Sequence, residues 1–162
     1  MWARGFRVRD VASDGSCMPR AVLESMGRSQ DGHHELRRAA VDAVRRQMIA
    51  CPDEAQVLIA DAFLDASGAL PDLTPDQYWA VAIKDNFYLA SSELRAMATF
   101  LDVHFHVYSS TLACDFSGPT VIGSGPRTVP LLYVNNNHYM AVLSDAESGG
   151  SKPPWTQVGG VR

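Results

Sequence analysis

The sequence has few cysteines, no long apolar run and no excess of positive charge, and each absence excludes a class of protein. Its 162 residues include three cysteines, Cys17, Cys51 and Cys114, an odd number at irregular spacing that argues against a disulfide framework and favours a reducing compartment. No apolar run approaches the roughly 18 residues that span a bilayer. The opening stretch MWARGFRVRD lacks the apolar core of a secretory signal. We therefore expect a cytoplasmic protein with no membrane partner.

The charge balance is acidic, with a formal net charge of −4 at pH 7, so no overall basic field attracts nucleic acid. One local group of basic side chains is interleaved with Glu35 and Asp42; it consists of Arg37, Arg38, Arg45 and Arg46. We interpret this group as a solvated helix face with charge pairs four residues apart, not as an RNA-binding strip. No nucleic-acid partner is expected.

The order of predicted elements indicates an α+β fold. Apolar periodicity predicts helices at about 18–26 and 34–50, a third from Asp53, and two more that begin after Thr74 and at Ser91 or Ser92, these residues acting as caps. An extended entry at 6–11 precedes them. Three strand candidates come last: DVHFHVYSS, TVPLLYV and HYMAVLS. Helices followed by strands are typical of α+β layers.

The length fits one domain, and 46% hydrophobic residues are enough for one sizeable core. We assign residues 1–145 to this domain. Residues 146–162 are rich in glycine, serine and proline, a composition typical of a tail or linker.

The stretch SDGSCMPRAV places Cys17 immediately before a predicted helix with Pro19 in its first turn. A helix N-terminus lowers the pKa of a thiol, and the N–H groups of the turn formed by Asp14, Gly15 and Ser16 could converge on an oxyanion. The alternative is a small buried cysteine that fills space at a helix start. The local residues leave both interpretations open.

A cysteine nucleophile needs a base, and the chain has five histidines. His33 and His34 lie at a helix start, where we expect them to be solvated. His104 and His106 share one face of a strand and could ligate a metal, but no C-x-x-C or H-E-x-x-H motif accompanies them. His138 lies where a polar asparagine turn enters an apolar strand, and rigid scaffolds often present functional side chains at such points.

Three segments, in order, resemble the ovarian-tumour (OTU) family of cysteine proteases over about residues 6–144. They are DGSC followed by RAV, then NFYLASSELRAMATFLDVHFHVY, then HYMAV. The resemblance implies a papain-like fold with a small central, mostly antiparallel sheet flanked by helices. It also implies a thiol-dependent deubiquitinase that acts, as a monomer without cofactor or metal, on conjugates of ubiquitin or a ubiquitin-like modifier. Compact OTU domains occur in viral polyproteins, among bacterial effectors and in eukaryotic cells. A viral or secreted-effector origin would place the chain in a host cytosol.

By the same resemblance, Cys17 matches the nucleophile and His138 the general base. Asp14 matches an aspartate that shapes the oxyanion loop or serves as the third member of the site. The implied oxyanion donors are the backbone N–H groups of Gly15, Ser16 and Cys17. The implied reaction is acyl transfer through a Cys17 thioester.

Two positions depart from the family pattern. Pro19 replaces an aromatic residue, and Met140 stands two residues after the histidine, where the family commonly has an Asp or Asn that orients the ring. We expect the orienting group to be Asp14, a backbone carbonyl or a residue of the asparagine turn, which comprises Asn135, Asn136 and Asn137.

Three alternatives to a deubiquitinase follow from the sequence. The missing acid after His138 would suit a catalytically inactive module that only binds ubiquitin. The pair Gly159–Gly160 in the tail raises the idea of a protease that processes a polyprotein. A metallohydrolase that uses His104 and His106 is the third.

Overall fold

The structure, a computed structural model, describes residues 6–54, 73–109, 119–134 and 138–144. Four helices lie in these ranges: α1 Cys17–Ser25, α2 His33–Ala50, α3 Pro75–Ala82 and α4 Ser91–Leu101. A short 3₁₀ turn, Gln30–Gly32, precedes α2. The strands are β1 Phe6–Arg9, β2 Val103–Ser109, β3 Thr120–Gly123, β4 Arg127–Val134 and β5 His138–Ser144.

The strands form one sheet in the order β1-β5-β4-β2-β3. Three of its neighbouring pairs are antiparallel and β2–β4 is parallel, which confirms the mostly antiparallel sheet expected from the sequence. Strands β4 and β5 pair as a hairpin in which Val134 lies opposite His138. Strand β1, although first in the chain, pairs with β5 and so lies beside the strand that begins at His138.

Apolar side chains form a large and a small cluster. In the large cluster, helices pack against the sheet, with Leu36 and Leu94 from the helices meeting Phe105 and Leu131 from the strands. Among the described residues, the small cluster consists of strand residues, with Tyr108, Leu132 and Val142 at its centre and Val8, Val134 and Met140 packed around them. The sheet is flanked by helices in this way, as the sequence predicted.

The predicted start of α3 is confirmed in detail. Thr74 Oγ1 accepts the Gln77 N–H at 3.2 Å, and Gln77 Oε1 accepts the Thr74 N–H at 2.9 Å. These reciprocal bonds form a capping box around Pro75, the first helical residue. At the end of α1, Gly27 adopts a φ of +73°, a conformation that favours glycine, and the helix ends there.

The predicted cap of α4 is wrong. The residue before the helix is Ala90, and neither predicted serine supplies the cap; instead, Glu93 Oε2 accepts the Ala90 N–H at 2.9 Å. The other oxygen of Glu93 accepts the Tyr78 hydroxyl at 2.5 Å. Glu93 is fully buried, and a buried carboxylate must be hydrogen bonded. Glu93 therefore caps α4 with one carboxylate oxygen and accepts the Tyr78 hydroxyl with the other.

Several predictions fall on residues outside the described ranges. Residues 52–54 are helical, in line with a helix predicted from Asp53, but the later residues of that prediction lie outside the described ranges. The asparagine turn 135–137 and the proposed tail 146–162 also lie outside. Strand β3 was not predicted, although its β-branched residues between Pro119 and Gly123 are typical of a strand. Within the described ranges, no helix combines the length and apolar character that crossing a bilayer requires.

Candidate active site

The turn before α1 is closed by Asp14. Its backbone carbonyl accepts the Cys17 N–H at 3.2 Å, and its Oδ1 accepts the Ser16 N–H at 3.0 Å. Its other carboxylate oxygen lies 3.3 Å from Nη2 of Arg20. These contacts hold the loop that carries Cys17, the first residue of α1, which is only 2% exposed. Asp14 therefore closes the turn that precedes Cys17.

Gly15 is required by the close approach of the loop that follows α3. A Cβ atom added to Gly15 would lie 2.3 Å from the carbonyl carbon of Asn86 and 2.4 Å from the carbonyl oxygen of Asp85. Both are backbone atoms, which cannot rotate away. The glycine of the DGSC segment is therefore a packing requirement of the turn.

The turn is anchored from behind by Arg37, which the sequence interpretation had placed on a solvated helix face. That placement is wrong, because Arg37 is 1% exposed. Its Nη2 donates to the carbonyls of Gly15 at 2.5 Å and Phe87 at 2.9 Å, and its Nη1 donates to that of Ala82 at 2.7 Å. The guanidinium presents five donors in a fixed fork, so one side chain can join the turn before Cys17 to the loop after α3.

The other arginines of that group remain closer to the surface. Arg38 and Arg46 are exposed, and Arg45 pairs with Asp76 of α3 at 2.8 Å rather than with a residue four places along its own helix.

The Cys17 thiol lies against the start of β5. Burial raises the pKa of the thiol above its ordinary value. The backbone N–H groups of Tyr139 and Met18 donate to the sulfur and offset part of this rise. The two segments identified in the sequence therefore meet, because Tyr139 directly follows His138.

His138 is held by a carboxylate that the sequence interpretation missed. Its Nε2 lies 2.6 Å from Oδ1 of Asp10, the residue after β1. The hydrogen bond from His138 is the main reason that the pKa of the Asp10 carboxyl is below its ordinary value. Since an ionised carboxylate only accepts, Nε2 carries a proton, and in a neutral imidazole Nδ1 is then the basic nitrogen. Nδ1 is buried and has no hydrogen-bond partner among the described residues.

Strand register explains why Asp10 takes this position. Val8 pairs with Val142, and side chains two residues apart share a face, so Asp10, Met140 and His138 follow one another on the same face of neighbouring strands. Asp10 reaches His138 as a diagonal neighbour. Met140 meanwhile packs in the small apolar cluster. The acid absent from β5 is thus supplied by β1.

The alternative metal pair is not assembled. His104 Nδ1 lies 2.6 Å from the Gly125 carbonyl oxygen, and its Nε2 lies 2.9 Å from Thr128 Oγ1. Both ring nitrogens of His104 are therefore engaged, although its ring lies 5.0 Å from that of His106. A metal site at these two histidines would have to break one of those contacts.

The family model for the OTU-like cysteine protease matches residues 12–139, which include Cys17 and His138. The chain belongs to the OTU-like cysteine protease family. Among curated proteins, this OTU domain is 25% identical over 161 residues to the "Putative ubiquitin thioesterase 232R" of Invertebrate iridescent virus 3. The match covers 95% of the chain but spans only 18% of that viral protein.

Solved structures agree with this OTU fold. The OTU domain of OTUD1 matches with a TM-score of 0.61 and 23% identity over 85% of each chain. An OTU deubiquitinase from Wolbachia pipientis wMel, solved bound to ubiquitin, matches with a TM-score of 0.65 and 18% identity over 86% of this chain and 96% of that one. At these identities the matches establish the architecture of the OTU domain.

Two residues of this OTU domain could not be found from family motifs alone. Asp10 ends a strand with no fixed place in the quoted motifs, and only the β1–β5 pairing brings it to His138. The charged neighbours of Arg37 predict a solvated face, yet the apolar residues Leu36, Ala40 and Val44 around it predict a buried one. The position of Arg37 beside this apolar stripe is the sequence signal for its burial.

Proposed function

We propose that this OTU domain is a thiol-dependent deubiquitinase that hydrolyses the bond after the C-terminal glycine of ubiquitin or a ubiquitin-like modifier. The observation that carries the proposal is the meeting of the two motif segments at the Cys17 sulfur, which contacts the N–H of Tyr139 beside His138. The named activities of the viral thioesterase and the Wolbachia deubiquitinase support the choice of substrate.

In the proposed reaction, Nδ1 of His138 takes the proton of the Cys17 thiol while the sulfur attacks the glycine carbonyl. The C–N bond to the lysine amine then breaks, and His138 returns its proton to the departing amine. Water hydrolyses the resulting thioester and frees the modifier and the thiol. Asp10 holds Nε2 of the ring throughout, which keeps the tautomer that leaves Nδ1 basic.

The oxyanion donors we propose are backbone N–H groups of the nucleophile turn. The Ser16 N–H already donates to Asp14 Oδ1. The Gly15 N–H is therefore the better candidate of the two for an oxyanion donor. The Cys17 N–H has a longer bond, 3.2 Å, to the Asp14 carbonyl. It would turn to the oxyanion as negative charge develops there.

Proton transfer in this mechanism accompanies attack. Because burial raises the pKa of Cys17, a resting thiol is favoured over a standing thiolate–imidazolium pair. His138 therefore acts as a general base when substrate is bound, and Asp10 stabilises the imidazolium that forms.

The test is hydrolysis of a panel of diubiquitin linkages and modifiers with a C-terminal leaving group, by the wild type and by Cys17→Ala. We expect cleavage by the wild type alone. Binding of ubiquitin without cleavage of any substrate would favour the inactive binding module instead. Cleavage of a longer precursor around Gly159–Gly160, with no activity on the modifier panel, would favour the polyprotein protease.

We further propose a monomer in a reducing, cytoplasmic compartment, which is a host cytosol if the chain is viral or a secreted effector. The described site draws Asp10, Cys17 and His138 from one chain, and Cys51 carries an exposed free thiol that such a compartment keeps reduced.

A further inference from the structure

A second cluster of ligating side chains lies behind the nucleophile turn. It consists of His33 and His34 at the start of α2 and Asp85 in the loop after α3, each offering one ligand atom, and the three atoms lie within 4.8 Å of one another. His34 Nδ1 is 2.9 Å from Asp85 Oδ1. The two imidazole rings lie side by side with their centroids 3.9 Å apart.

His33 corrects the sequence interpretation, which had placed it in solvent. It is only 6% exposed, and its Nδ1 is buried without a hydrogen-bond partner among the described residues. His34 and Asp85 are exposed at 61% and 48% of their side chains, so an ion can enter from solvent and keep water ligands.

The donor set selects the kind of ion. The cluster offers one carboxylate, that of Asp85, and the Arg37 guanidinium lies 3.9 Å from it. An ion held mainly by carboxylate charge, such as Mg²⁺ or Ca²⁺, gains little here. Two imidazoles and one carboxylate instead suit Zn²⁺ and its neighbours Co²⁺ and Ni²⁺.

We propose that His33, His34 and Asp85 bind one divalent ion of the zinc class, with water at the remaining positions. The ion replaces the proton between His34 Nδ1 and Asp85. Through Asp85 it sits directly behind the turn, since the Asp85 carbonyl is also 3.4 Å from the Ser16 hydroxyl. The ion would tie α2 to the loop after α3 and stabilise the folded state, because the unfolded chain holds no such cluster.

The test is calorimetric titration of Zn²⁺ into the full chain carrying Cys17→Ala, which removes the buried thiol as a competing ligand. We expect one ion per chain and a rise in melting temperature with Zn²⁺. Adding His34→Ala or Asp85→Asn should weaken binding by at least about tenfold and reduce that rise accordingly. Both residues are substantially exposed, so these variants keep the fold, which circular dichroism checks.

Two controls locate the ion. Asp31→Asn, an exposed acid on the preceding turn, should bind Zn²⁺ like the parent, and Mg²⁺ should not compete. The proposal is overturned if the Cys17→Ala protein binds no Zn²⁺, if His34→Ala and Asp85→Asn titrate like the parent, or if binding is lost with His138→Ala instead. None of these readouts uses peptidase activity, so the metal site can fail while the proposed function stands.

Discussion

Replacing Asp10 by alanine removes the carboxylate that holds His138 and should slow catalysis without unfolding the domain. A hydrogen bond to a charged group contributes about 1.5–3 kcal/mol. The Asp10 side chain is 66% exposed, so water competes with it and the lower end applies. We expect a loss of about 1.4 kcal/mol of transition-state stabilisation, which corresponds to about tenfold in kcat/KM. Asp10→Asn keeps an oxygen acceptor and should lose only a few-fold.

The assay is hydrolysis of a modifier with a fluorogenic C-terminal amide, with kcat and KM measured separately. The loss should appear in kcat, because Asp10 acts on the base and not on the substrate. The lowered pKa of Asp10 means that its contact with His138 contributes fully above the ordinary carboxyl pKa of about 3.9 and disappears only as the pH falls through the lowered value. The Asp10 carboxylate should therefore hold the ring throughout the range from about pH 5 upward, and Asp10→Ala should be slower than the wild type across that range.

A matched control is Asp53→Ala, which removes an exposed acid outside the site. It should leave kcat unchanged. The reasoning about Asp10 is refuted if Asp10→Ala keeps wild-type kcat, or if its loss lies entirely in KM.

Three further predictions concern the nucleophile turn. Gly15→Ala would place a Cβ atom against the backbone of Asp85 and Asn86 and displace the turn. It should lower the free energy of unfolding by about 1–3 kcal/mol and abolish hydrolysis. Urea unfolding tests the first effect and the activity assay the second. Arg37→Met leaves three carbonyls without their donor and should cost about 1–3 kcal/mol for each one that stays buried and unpaired, in the same unfolding experiment. Exposed Arg38→Met should cost almost nothing, and equal effects would contradict the anchoring role. Without substrate, iodoacetamide should alkylate Cys17 more slowly than Cys51 at neutral pH and faster as the pH rises, because burial raises the Cys17 pKa; rapid, pH-independent alkylation of Cys17 would indicate a standing thiolate.

Much of the fold was predictable because its signals are local. The capping box at Thr74, the positive φ of Gly27 and the hairpin between TVPLLYV and HYMAVLS each depend on residues close in sequence. The cap of α4 was not predictable in this way. There, buried Glu93 accepts a hydrogen bond from Tyr78 on another helix and also accepts the Ala90 N–H. This contact between distant residues outweighs the preference of serine for the cap position.

The site divides along the same line. Cys17 and His138 stand in recognisable motifs, and the turn chemistry of Asp14 and Gly15 follows from their types. Asp10 and Arg37 act across 128 and 22 residues of sequence, through strand register and a buried helix face. The apolar stripe of α2 is a local sign that Arg37 lies beside a buried face, but it does not identify the carbonyls that Arg37 contacts. Asp10 has no comparable local sign, and the pairing of β1 with β5 is what brings it to His138.

We propose that Cys17 is the nucleophile of a deubiquitinase and that His138 is its base. The most direct measurement is intact-mass spectrometry, with peptide mapping, of the chain treated with ubiquitin that bears a C-terminal electrophile. We predict one covalent adduct at Cys17, absent in Cys17→Ala and formed far more slowly in His138→Ala. An adduct at Cys51 or Cys114, or ubiquitin binding without any adduct, would contradict the role of Cys17 as the nucleophile.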